Sequence, residues 1–127
     1  MMKWVTISSV CALLGLSLSQ LAAEPAQSFS IPIEQAASRV GYRVRMTAVV
    51  AQVTITKRGT VLLNLGGKHP NQVLTVVALG RVARSWKPEQ WNAHQDKMVR
   101  IDGTITLRDG KPQVVLEDAR CLEVIHR

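Results

Sequence analysis

The 127 residues carry a formal net charge of +7 and two cysteines, Cys11 and Cys121. That length leaves room for one small domain and excludes two. The positive balance points to anionic partners or to a basic, solvated surface.

The chain opens Met1-Met2-Lys3-Trp4 and then runs apolar from Val5 to Leu21. A basic start, an apolar stretch and the small pair Ala22-Ala23 predict a secretory signal peptide over residues 1–23. Cleavage would leave residues 24–127 as a single exported domain, periplasmic or secreted. Val5–Leu21 is shorter than the roughly 20 strongly apolar residues of a span, and it is interrupted by Ser, Thr, Gln and Gly. No stable membrane insertion is therefore expected after cleavage. Cys11 lies inside the apolar stretch, too early for a lipoprotein anchor. Cys121 then stands alone, so no internal disulfide can form and stability must come from the core. Alternation in Leu122-Glu123-Val124 predicts a final apolar segment and favours burial of Cys121 beside it over a thiol open to a mixed disulfide.

Residues 24–30 form a polar lead. The segment Ile31–Gly41 predicts a short helix, with Pro32 in its first turn and Gly41 as its stop. Ile33, Ala36, Ala37 and Val40 would form its apolar face. From Tyr42 to Thr56 the period becomes two. Val44, Met46, Ala48 and Val50 share one phase, and Val53 and Ile55 take the other. A phase change inside one strand predicts a bulge near 49–51. Thr60–Leu65 and Val73–Leu79 supply strands two and three, joined by a loop rich in Gly, Pro and Asn.

Gly80–Asp96 breaks the alternation and predicts a short helical connection, opened by Pro88 in its second half. Alternation returns over Lys97–Leu107, with Val99, Ile101, Ile105 and Leu107 on one face and Gly103 as a bend or close-packing point. Asp109-Gly110 predicts a tight hairpin. Pro112–Glu117 follows as strand five, and Leu122–Ile125 closes the chain. The fold class is mainly β: helix, three strands, helical segment, two strands. This is the order of the five-stranded OB-fold Greek-key barrel, with a short N-terminal helix and a helical segment between strands three and four.

Gly41–Val44, Thr60–Gly67, Pro70–Val77, Val99–Ile105 and Gly110–Leu116 together resemble the small exported bacterial OB-fold domains of the nucleic-acid-binding type. The likeness spans about residues 31–125. It implies a barrel that binds single-stranded DNA or RNA. Thermonucleases share this fold, but metal-assisted phosphodiester cleavage needs clustered carboxylates. Asp102 should face outward, Asp109 belongs to a turn, and Glu117 and Asp118 point to opposite sides. No stretch matches the thermonuclease pattern, so no enzymatic activity is expected. His69, His94 and His126 lack metal-ligand spacing, and neither a metal nor a cofactor is expected.

Basic residues fall at predicted loop tips and on strand one. Lys57 and Arg58 lie between strands one and two, Lys68 in the next loop, and Arg108 and Lys111 between strands four and five. Arg43 and Arg45 share a strand face. Together they form the candidate nucleic-acid-binding set, since positive charge along a groove attracts a phosphate backbone. Aromatic stacking platforms are scarce: Phe29, Tyr42, Trp86 and Trp91 all lie outside strands two and three. Trp86 and Trp91 are expected to plug the barrel end. Binding would then be weak, electrostatic and salt-sensitive. The competing reading is an interaction or stress module with an envelope protein as partner. Asn64, Gly66, Gly67, Pro70 and Asn71 are assigned to loop geometry rather than to a ligand pocket.

Overall fold

The computed structural model describes residues 29–126. The expected signal peptide lies outside the described residues. Seven strands form: β1 (Phe29–Ser30), β2 (Arg43–Ile55), β3 (Val61–Leu65), β4 (Leu74–Ala78), β5 (Met98–Arg108), β6 (Lys111–Val115) and β7 (Leu122–Val124). Two short helices, α1 (Gly80–Arg84) and α2 (Pro88–Asn92), separate β4 from β5. Among the described residues no helix is long and apolar enough to cross a membrane.

The strands pair in the order β1-β2-β3-β4-β6-β5-β7, and β2 also pairs with β5. That extra pairing closes β2, β3, β4, β6 and β5 into a barrel. Every contact in the ring is antiparallel except β4–β6, which is parallel. The expected OB-fold is therefore present, with its helical segment between the third and fourth barrel strands. The two-residue strand β1 lies parallel to β2 where the sequence predicts only a polar lead. Two residues are too few to show alternation.

One strand serves two partners because it bends. The first half of β2 pairs with β5 and the second half with β3, with a register shift between Val50 and Gln52. This is the bulge that the phase change predicts. Before it, Val44, Met46 and Val50 are buried in the core; after it, Val53 and Ile55 pack against that core. Gln52 and Thr54 are thereby turned outward. An unbroken strand would have aimed them inward.

The barrel interior is filled by alternate residues of every strand, among them Leu63, Leu65, Leu74, Val76, Val99, Ile101, Ile105 and Val114. Both ends are covered. Ile33–Arg39 is a 3-10 helix packed against β2, β4, β5 and β6. Three residues per turn place i and i+3 on one side, so Ile33 and Ala36 are buried while Ala37 and Val40 are exposed. The four-residue apolar face expected of an α-helix is corrected on that ground. Trp91 of α2 is 1% exposed and joins the core. Its Nε1–H donates to the Ala83 carbonyl at 2.8 Å, and Trp86 packs beside it with ring centroids 4.5 Å apart. Trp91 is thus the plug expected, with Trp86 as its half-buried cover.

Two details differ from expectation. Leu107 is 51% exposed, because β5 runs past the barrel there into the hairpin with Lys111 and Pro112. Cys121 is half-buried and free, held in a 3-10 turn, Ala119–Cys121, just before β7.

Candidate nucleic-acid interface

A groove of about 890 Å³ crosses the outer face of β2, β3, β4 and β6. Its floor follows from strand register. Gln52 pairs with Asn64, Asn64 with Thr75, and Thr75 with Gln113. All four face outward and make one polar row across four strands. Thr54, Leu62, Val77 and Val115 pair in the same way and make a mainly apolar row beside it. Among the described residues, no Phe, Tyr or Trp lines the groove.

The two rows end at two basic hairpins. Lys57 and Arg58, in the turn between β2 and β3, stand beyond the apolar row; Arg108 and Lys111, at the β5–β6 hairpin, stand beyond the polar row. Asp109 gives that hairpin its tight reversal at φ 53°, followed by Gly110 at φ 78°, as Asp-Gly predicts. Among the described residues, no carboxylate lies within ion-pair distance of Lys57, Arg58, Arg108 or Lys111. Lys111 Nζ donates instead to the Pro70 carbonyl at 2.8 Å, tying the β5–β6 hairpin to the β3–β4 loop. That bond leaves its charge unneutralised.

The polar row is wired internally. Gln52 Oε1 accepts from Asn64 Nδ2 and from the His69 backbone N–H, both at 3.0 Å. Asn64 Oδ1 accepts from the Thr75 hydroxyl at 3.2 Å, and Thr75 Oγ1 faces Gln72 Nε2 at 3.4 Å. Asn64 is only 4% exposed, although it faces away from the barrel interior. Its neighbours in the row cover it. Its role corrects the assignment of Asn64 to loop geometry: it is the hub of the groove floor. Gly66 and Gly67 do serve geometry. Gly66 has φ 79°, and a Cβ on Gly67 would lie 2.6 Å from the Asn71 carbonyl oxygen.

The candidate cations thus separate into three groups. Lys57, Arg58, Arg108 and Lys111 are brought together around the groove. Lys68 is exposed in the β3–β4 loop but does not line it; its neighbour His69 does. Arg43 and Arg45 lie elsewhere, on the outer face of the β2–β5–β7 sheet. Arg45 Nε holds Asp102 Oδ1 at 2.9 Å, and Arg43 reaches Glu117 at 3.6 Å. Beside them Arg100 pairs with Glu123 at 2.7 Å. Strand alternation placed all of these outward, but only the register shows that carboxylates meet them.

The Asp118 carboxylate accepts from the Arg120 side chain and backbone. The Arg120 guanidinium, hydrogen-bonded to it, holds the Asp118 carboxyl below its usual range. Among the described residues, no three His, Cys, Asp or Glu side chains converge as a metal site. His94 is buried at the barrel end, with Nδ1 facing the Gln90 carbonyl at 2.8 Å and the Trp91 carbonyl at 3.2 Å. Two acceptors require that Nδ1 carry a proton.

No family model and no curated protein sequence matches the chain. Solved structures do match in fold. Asparaginyl-tRNA synthetase from Pyrococcus horikoshii aligns over 76% of this chain with a TM-score of 0.53 and 16% identity. This chain spans 23% of that synthetase. An OBody bound to hen egg-white lysozyme aligns over 80% of this chain and 99% of its own, with a TM-score of 0.54 and 11% identity. The Stn1–Ten1 complex of S. pombe aligns over 67% of this chain and 60% of its own, at 0.51 and 16%. At these identities the likeness is one of fold.

Proposed function

We propose that this chain is an exported, non-enzymatic OB-fold domain that binds single-stranded nucleic acid weakly, through the groove on β2, β3, β4 and β6. One observation carries the reading: the groove ends at Lys57 and Arg58 on one side and at Arg108 and Lys111 on the other, with no carboxylate among the described residues paired to them. A strand lying across the floor would meet positive charge at both ends. The tRNA synthetase among the structural neighbours is in keeping with such a partner.

Four cations set the expected scale. Neutralising up to four phosphates of a single strand gives a log–log salt slope of about −2 to −3, or a loss of roughly 50-fold between 50 and 200 mM salt. Without stacking aromatics, the roughly 1–3 kcal/mol per base that such platforms add is missing. Fluorescence anisotropy with a labelled oligonucleotide at low salt tests the reading. The Lys57→Glu, Arg58→Glu double variant should abolish the shift. Unchanged binding by that variant, or no binding by the parent, would sink the proposal.

The apolar row Leu62, Val77 and Val115, with Leu79 48% exposed beside it, favours a second reading, a protein-interaction module with an envelope protein as partner. The OBody's binding to lysozyme offers a precedent of fold for that use. A protein partner retained at physiological salt, with no oligonucleotide binding, would support it.

A further inference from the structure

The hydrogen bonds of the groove floor run in one direction only. The His69 backbone N–H can only donate, so the Gln52 amide must present its oxygen there. That oxygen also takes a hydrogen from Asn64, which fixes the Asn64 amide with its own oxygen toward Thr75. The single Thr75 hydrogen is spent on Asn64, so Thr75 can only accept from Gln72 Nε2. Turning the Gln72 amide over would set two acceptors, Asn64 Oδ1 and Gln72 Oε1, against that one hydrogen.

The chain therefore ends in two unlike groups. Gln52 Nε2 is left as a donor on the groove floor. Gln72 Oε1 is left as an acceptor, and it is the one buried side-chain nitrogen or oxygen among the described residues with no partner. Gln72 lines the groove. Its bond to Thr75 is the longest of the row at 3.4 Å, and the terminal torsion of a Gln side chain is broad. Oε1 is buried as the side chain stands, so the amide turns about that torsion to meet a donor arriving in the groove.

We infer that the groove does not merely hold phosphates but selects ligands that bring a hydrogen-bond donor, an N–H or O–H, to Gln72. This deepens the nucleic-acid reading and rests on it. A phosphodiester has only acceptors and cannot meet Gln72 Oε1. A base imide or amine can, and so can a ribose 2′-hydroxyl, which is both donor and acceptor. Stacking sites tolerate any base, whereas this floor discriminates by hydrogen bonding.

Three strands of equal length and phosphate number separate the sources: an abasic deoxyribose strand with no donor, oligo(dU) with a base N–H, and oligo(U) with the 2′-hydroxyl added. Anisotropy titrations of the full mature chain should show a gain of roughly tenfold over the abasic strand, a cost typical of leaving a buried acceptor unpaired. The step at which the gain enters tells base N–H from sugar hydroxyl. Gln72→Met and, independently, Thr75→Val should erase the gain, bringing the ratio of oligo(dU) or oligo(U) affinity to abasic-strand affinity measured on the same variant to about one, in protein shown folded by circular dichroism. Equal affinity for all three strands, or a gain that survives both substitutions, overturns the selection while leaving the groove reading intact. No binding of any strand overturns the groove reading itself.

Discussion

Gly103→Ala should destabilise the barrel by about 1–2 kcal/mol, and the magnitude can be worked from one contact. Gly103 sits buried in β5 opposite Val44, and a Cβ there would run into Val114 Cγ1 on β6. Val114 is fully buried and β-branched, so its rotamer cannot swing clear. Overpacking of this kind costs about 1–3 kcal/mol. Alanine lowers the entropy of the unfolded chain and returns about 0.4–1 kcal/mol. For a domain of this size each kcal/mol moves the midpoint by roughly 4–8 °C, so thermal melts followed by circular dichroism should fall by about 10 °C. Val114→Ala alone should cost about 2 kcal/mol by leaving a cavity. The double variant moves a methyl across the same space and should be less destabilised than the sum by about 1–2 kcal/mol. A melt within error of the parent, or strict additivity in the double variant, would refute close approach at Gly103.

Other substitutions probe the remaining parts. Arg43→Ala with Arg45→Ala should leave oligonucleotide affinity within about twofold and the urea midpoint little changed, because these are exposed pairs away from the groove; anisotropy and urea titration read the two effects. Trp91→Phe should cost about 1–3 kcal/mol in urea, since it leaves the buried Ala83 carbonyl without its donor. The depressed Asp118 carboxyl favours the folded state only when ionised. Its contribution is complete above about pH 5 and is lost as pH falls from about 4 through its folded value. Arg120→Gln should raise the Asp118 midpoint in an NMR carboxyl titration, and an unmoved midpoint would remove Arg120 as the cause.

What was legible in the chain was what local period encodes. The bulge in β2 is written in the switch from Val44, Met46 and Val50 to Val53 and Ile55, and Asp109-Gly110 marks its hairpin in two residues. The basic hairpin tips follow at once from those turns. The groove floor was not legible, because Gln52, Asn64, Thr75 and Gln113 are ordinary outward positions on four separate strands. Only register makes them neighbours. The buried hub Asn64 had a faint signal, a polar residue between Leu63 and Leu65 in an apolar run. Ala37 and Val40 fall outside the core because three residues per turn keep Ile33 and Ala36 on the buried side, and so short a segment does not distinguish that period from the α-helical one.

Register also decides where the positive charge is felt. The sequence shows a net charge of +7 and does not say which face owns it. On the β2–β5–β7 face, Arg43, Arg45 and Arg100 are each matched by a carboxylate from a different part of the chain. Arg120 is matched by Asp118. Those carboxylates lie away from the groove, whose lining holds Asp109 as its acid against Lys57, Arg58, Arg108 and Lys111. Matched pairs cancel beyond a Debye length of about 8–10 Å, whereas an unmatched cluster does not. The groove thereby keeps a local positive field. It lies over a concave face whose floor is polar and hydrogen-bonded. Phosphates would be drawn there first, and the amide row beneath would decide what stays.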